Sequence, residues 1–136
     1  MSKKIIYLLF IAVFAISIVS CEDDEGKLPK ISFKTGTNYK STDDSLTAGS
    51  AFTIGISASK TEDKDVLKKF NISKSIDGAS AVTIFSKDLS GSEGDDYNYD
   101  YSDTMSHVIG QTNKYIFTVT NRDGISNNVS LTLKVK

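Results

Sequence analysis

From Lys30 onward the chain alternates apolar and polar side chains with a period of two, in short runs broken by turn chemistry. That spacing places successive apolar groups on one face of an extended strand. Ile31, Phe33 and Thr35 alternate with Lys30, Ser32 and Lys34, and Phe52, Ile54, Ile56 and Ala58 alternate with Thr53, Gly55 and Ser57. Leu67, Phe70 and Ile72 predict a third strand and Val82 and Ile84 a fourth. Ile76-Asp77-Gly78 lies between them as a turn that tolerates positive φ. Tyr97, Tyr99 and Tyr101 keep the same period. Tyr115, Phe117 and Val119, then Val129, Leu131, Leu133 and Val135, predict the last two strands, separated by Asn121-Arg122-Asp123-Gly124. Glu62 to Phe70 also contains good helix formers with opposite charges at helical spacing, so one helical turn is expected between the second and third strands.

About seven short strands in roughly 107 residues, with a polar break every 8 to 12 positions, predict an all-β fold, an immunoglobulin-like antiparallel β-sandwich. The stretches Pro29-Lys30-Ile31-Ser32-Phe33, Ala48-Gly49-Ser50-Ala51-Phe52 and Tyr115 to Gly124 make the domain similar to the Ig-like modules of Bacteroidetes surface lipoproteins. The chain has no Trp and one Cys, so the central indole and intersheet disulfide of antibody domains are both absent.

Before the strands lies a different kind of segment. Lys3 and Lys4 give a basic start, Ile5 to Val19 is almost unbroken aliphatic and aromatic sequence, and Ile18-Val19-Ser20-Cys21 closes it. Ile5 to Ser20 would span about 24 Å as a helix, short of the roughly 30 Å hydrocarbon core. The segment resembles a bacterial lipoprotein signal peptide, which implies lipid on the Cys21 sulfur, cleavage before that residue and acylation of the new amino terminus. The implied organisation is signal peptide 1–20, lipidated acidic tether 21–29 and Ig-like domain 30–136. Glu22, Asp23, Asp24 and Glu25 follow at once. A lipidated Cys with a short acidic run resembles the signal that exports Bacteroidetes lipoproteins to the outer face of the outer membrane.

Charge narrows the partners. Without residues 1–20 the chain carries 14 basic and 17 acidic residues, a net −3, and the excess lies in the tether. Residues 30–136 hold 13 of each sign, so no basic field is available to draw nucleic acid. With Cys21 assigned to lipid, burial alone must stabilise the fold.

Candidate chemistry concentrates in Asp95 to Asp103. Tyr97, Tyr99 and Tyr101 share one strand face, and Asn98 and Asp100 lie on the other. Facing outward, the rings form an aromatic platform for sugars; facing inward, they are core and leave a polar surface of Asp96, Asn98, Asp100 and Ser102. Glu93, Asp95, Asp96, Asp100, Asp103 and Asp123 raise Ca²⁺, but no EF-hand spacing is present, so a solvated loop is the default and no metal or cofactor is expected. His107 is the only histidine, and no nucleophile elbow accompanies it, so catalysis is not expected. Asp44-Ser45-Leu46 and Asp103-Thr104-Met105 resemble O-glycosylation sites of exported Bacteroidetes proteins at Ser45 and Thr104, in predicted loops. Two functions follow: an accessory or assembly module of an outer-membrane complex, and a free-standing glycan-binding lipoprotein. An uncovered apolar edge or patch would favour the first.

Overall fold

The computed structural model describes residues 26–136. Cys21 and the acidic run Glu22 to Glu25 lie outside the described residues. The strands are β1 Lys30–Phe33, β2 Asp44–Leu46, β3 Ala51–Ser59, β4 Leu67–Ile76, β5 Val82–Asp88, β6 Asp96–Thr104, β7 Thr112–Asn121 and β8 Ser126–Val135. A single 3₁₀ turn, Gly91–Gly94, precedes β6.

Two sheets form. One has the order β1-β3-β6 and the other β2-β8-β7-β4-β5. All pairings are antiparallel except β2 with β8, which runs parallel. This is an immunoglobulin-like sandwich: β1, β3 and β6 occupy the A, B and E places of one sheet, β4, β7 and β8 the C, F and G places of the other, and β5 the place beside C. Among the described residues the smaller sheet ends at β6, with no fourth strand beyond it.

The core lies between the inner faces. Phe52, Ile54, Ile56 and Ala58 of β3 face Phe70 and Ile72 of β4, Tyr115, Phe117 and Val119 of β7, and Leu131, Leu133 and Val135 of β8. Phe70 is its aromatic centre, with ring centroids at 5.2 Å to Tyr97, 5.4 Å to Tyr99, 6.1 Å to Phe85 and 6.4 Å to Phe117. These rings fill the middle of a sandwich that has neither Trp nor disulfide.

Several expectations change. Residues 61–65 are turn rather than helix, and the strand begins at Leu67. A register shift between Leu67 and Lys69 explains why Leu67 and Phe70, three apart, both face inward: the strand gains a residue at a bulge. The eighth strand, β2, was not expected. It is three residues long and reads Asp-Ser-Leu, too short and polar to show a period, and exists because its backbone pairs with β8. Ser45 is therefore in an edge strand and half-buried, not in a loop, and Thr104 is the exposed last residue of β6.

Residues 27–29, assigned by sequence to the tether, are fastened to the domain. The Lys27 N–H donates to Asp65 Oδ2 at 3.1 Å, Asn121 Nδ2 donates to the Lys27 carbonyl at 3.2 Å, and Asn127 Nδ2 to the Pro29 carbonyl at 2.9 Å. Lys27 Nζ also pairs with Glu62 at 2.6 Å.

Candidate functional site

The tyrosines of β6 take the inward arrangement. Tyr97, Tyr99 and Tyr101 lie in register with Ala58, Ile56 and Ile54 of β3, whose side chains point into the core, and the pleat sends all six the same way. Tyr97 is 6% exposed, while Tyr99 and Tyr101 are half-buried against the core. Burial pushes the Tyr97 and Tyr101 hydroxyls above their ordinary titration range, and the bond from Tyr101 to Asp103 at 2.9 Å adds to the rise for Tyr101. These rings are therefore a correction to the outward platform: Tyr97 and Tyr99 pack on Phe70 and Phe85, and Tyr101 on Tyr115 and Phe117.

Asn98 and Asp100 do point outward, on the exposed face of the three-stranded sheet. Across that face run Lys30 and Ser32 of β1, Gly55, Ser57 and Ser59 of β3, and Asp96, Asn98 and Asp100 of β6. A groove of about 560 Å³ crosses all three strands, lined on its polar side by Lys30, Ser32, Ser57, Ser59, Asp96 and Asn98. Ser57 Oγ donates to Asn98 Oδ1 at 2.7 Å.

The next outward position along β3 is Gly55, and the chain between β1 and β2 folds back over it. Tyr39 lies there, its hydroxyl donating to Asp100 Oδ2 at 3.1 Å, while Lys34 Nζ pairs with Asp100 Oδ1 at 2.7 Å and stands 5.7 Å from the Tyr39 ring centroid. A Cβ on Gly55 would sit 2.7 Å from Tyr39 Cε1, 2.8 Å from Lys34 Cδ and 2.9 Å from Asp100 Oδ1. The Lys34 ammonium, and then the Tyr39 hydroxyl, hold the Asp100 carboxyl below its ordinary range. Sequence reasoning missed Tyr39 and Lys34. The available signal was Gly55 itself, since glycine inside a strand pattern marks a close approach.

Three of the remaining acidic residues weighed for Ca²⁺ are divided among separate partners, while Asp96 stands on the open sheet face and Asp123 beside Arg122. Glu93 pairs with Lys87, Asp95 with Lys60 at 2.7 Å, and Asp103 with Tyr101. Among the described residues no group of three or more metal-ligating side chains is close enough to hold an ion. His107 is exposed, its ring close to Gly49, and Ser106 Oγ donates to Gln111 Oε1 at 2.7 Å.

A second surface lies at one end of the sandwich. Ile76, Val82 and Ile84 are 43%, 65% and 42% exposed, and Val108 and Ile109 are 58% and 69% exposed. Ile76 and Val82 belong to the β4–β5 hairpin and Val108 and Ile109 to the β6–β7 loop. The hairpin is latched to the start of β7, where that loop ends, by the Asp77 N–H donating to the Thr112 carbonyl at 2.9 Å and the Thr112 N–H donating to Asp77 Oδ1 at 2.8 Å. A depression of about 240 Å³, lined by Lys74, Ile76, Ala79, Ser80, Val82 and Ile84, sits where no strand of the smaller sheet covers the β4–β5 flank. Residues 27–30 join at the other end, beside Asp65, Asn121 and Asn127.

No known family model matches the chain, and no curated protein does. Among solved structures it is similar to Spo0M, the sporulation control protein of Bacillus subtilis, at 11% identity and a TM-score of 0.50, over 79% of this chain and 49% of that one. The chain thus spans about half the length of Spo0M. A chain of the human seminal-plasma complex of zinc 2-glycoprotein and prolactin inducible protein is also similar, at 11% identity and a TM-score of 0.46, over 85% of this chain and 99% of that one. At such identity the likeness to Spo0M speaks for the fold alone. No helix among the described residues is long and apolar enough to cross a membrane.

Proposed function

We propose that the protein is a lipid-anchored, outward-facing accessory module that docks on a larger outer-membrane complex through its apolar end. The observation that carries this reading is the gathering of Ile76, Val82, Ile84, Val108 and Ile109, all at least 42% exposed, at the end away from where the tether joins. Scattered exposed aliphatics are ordinary, but several on two linked loops beside an apolar depression mark a contact surface. The occupant has matching chemistry: an apolar protein surface of the complex, with one aliphatic side chain filling the depression. Anchorage rests on the lipobox resemblance at Cys21, and the outer-face location on Glu22 to Glu25. A surface directed away from the anchor serves a neighbouring protein better than the bilayer beneath it.

The test is affinity capture of the native lipoprotein from mildly solubilised membranes, wild type beside Val82→Asp and Ile109→Asp, with partners quantified by mass spectrometry. Both substitutions fall on exposed positions and leave the fold intact. A partner present in stoichiometric amount with wild type and lost from both variants is the expected result. Equal recovery with all three proteins sinks the docking assignment.

A further inference from the structure

The polar groove of the three-stranded sheet lies on a different face from the apolar end, and nothing in the docking reading uses it. Its walls hold polar groups of both signs with hydrogen-bonding capacity to spare. Lys30 and Asp96 flank Ser59 in register across the sheet, and among the described residues neither side chain makes a hydrogen bond or ion pair. Among the described residues the Ser32 and Ser59 side chains make no hydrogen bond either, and Asn98 accepts from Ser57 through Oδ1, which leaves its two Nδ2 hydrogens available. Tyr39, held over Gly55 by its bond to Asp100, lies one outward position along β3 from Ser57 and outside the groove's lining.

We infer that this groove is a binding site for a neutral oligosaccharide. A sugar hydroxyl both donates and accepts, so it can satisfy an ammonium, a carboxylate, an amide and serine hydroxyls in one short stretch, as neither a phosphate nor an acyl chain can. The charges of Lys30 and Asp96 cancel, so the groove has no electrostatic preference for an ionic ligand. A volume of about 560 Å³ falls within the range of small-molecule sites.

The experiment uses the full lipoprotein purified in mild detergent. The probe is an array of α- and β-linked gluco-, galacto- and manno-oligosaccharides of two to six units, with retained sugars titrated by calorimetry. At least one series is retained by wild type. Asn98→Ala and Asp96→Ala each weaken it by about tenfold or more, as loss of a hydrogen bond to a bound ligand does. Val82→Asp, at the apolar end, leaves sugar affinity unchanged, which separates this site from the docking surface. Retention of no sugar, or an affinity that Asn98→Ala and Asp96→Ala both leave intact while the thermal midpoints stay at the wild-type value, overturns the assignment.

Discussion

At the scale of single residues, Gly55 is the position where conformation and candidate function meet. Its backbone is not in the left-handed region, so on conformational grounds alone Gly55→Ala would stabilise the protein by reducing the freedom of the unfolded chain. The structure predicts the opposite sign. A Cβ there comes within 3 Å of Tyr39, Lys34 and Asp100, and the fold must move all three or break the Tyr39–Asp100 bond. All three contacts are toward the ends of flexible side chains, so the cost falls at the low end of overpacking, about 1 kcal/mol. Urea denaturation measures it: a midpoint below wild type is expected, and one above it would show that Tyr39 is not seated as described. Phe70 illustrates the contrasting kind of residue. It touches four other rings, showed in the sequence through its spacing of two from Ile72, and acts wholly through packing.

At the scale of elements, the β4–β5 hairpin holds the apolar end in shape. Asp77 has φ 50° and Gly78 φ 77°, the pair of positive values that a tight hairpin of this hand requires. Asp77 does more than turn the chain, since its Oδ1 accepts from the Thr112 N–H at 2.8 Å and from Thr112 Oγ1 at 3.3 Å, latching the hairpin to the start of β7. Asp77→Ala loses both the tolerance of the left-handed region and the latch and costs about 2 kcal/mol, the sum of two effects near 1 kcal/mol each. Asp77→Asn keeps both and stays near wild type, and Asp77→Gly keeps only the first and falls between. Thermal midpoints of the three variants in any other order refute the latch. The Ile76-Asp77-Gly78 signal was plain in the sequence because turn chemistry is local. β2 was not, because a three-residue strand is specified by the backbone of its partner β8 rather than by its own side chains. The face of the β6 tyrosines lay between: period two showed that they share a side, and only the register with β3 decided which side.

At the scale of the whole molecule, the strap at the amino-terminal end governs how the domain stands relative to its anchor. Sequence placed the boundary at Lys30, but polar groups far along the chain reach back to hold Lys27, Leu28 and Pro29, which no local pattern could announce. Gly26 also lies against Asp123 and Ile125, so on the proposed anchorage through Cys21 four residues, Glu22 to Glu25, separate the lipidated residue from the held segment, a chain length of at most about 14 Å. Asn121 is the chief fastening. Its Nδ2 donates to the Lys27 carbonyl, and its Oδ1 accepts from the Asp123 and Ile125 N–H groups at 3.0 Å each, so one buried side chain both closes the β7–β8 turn and pins the strap to it. A protease must draw the backbone on both sides of Lys27 into its cleft, and the strap opposes that. Limited trypsin digestion of the native protein, read by mass spectrometry, is therefore expected to cut after Lys27 slowly. Asn121→Ala should speed that cut at least about fivefold, in line with loss of one to two kcal/mol of local opening free energy. Asn127→Ala, which frees the Pro29 carbonyl and the Asn128 N–H and leaves the bonds of Asn121 alone, should give a smaller increase with the thermal midpoint closer to wild type. Cleavage after Lys27 that is fast in wild type, or unchanged in both variants, would mean that the tether runs to Pro29 after all and that the domain swings freely on its anchor.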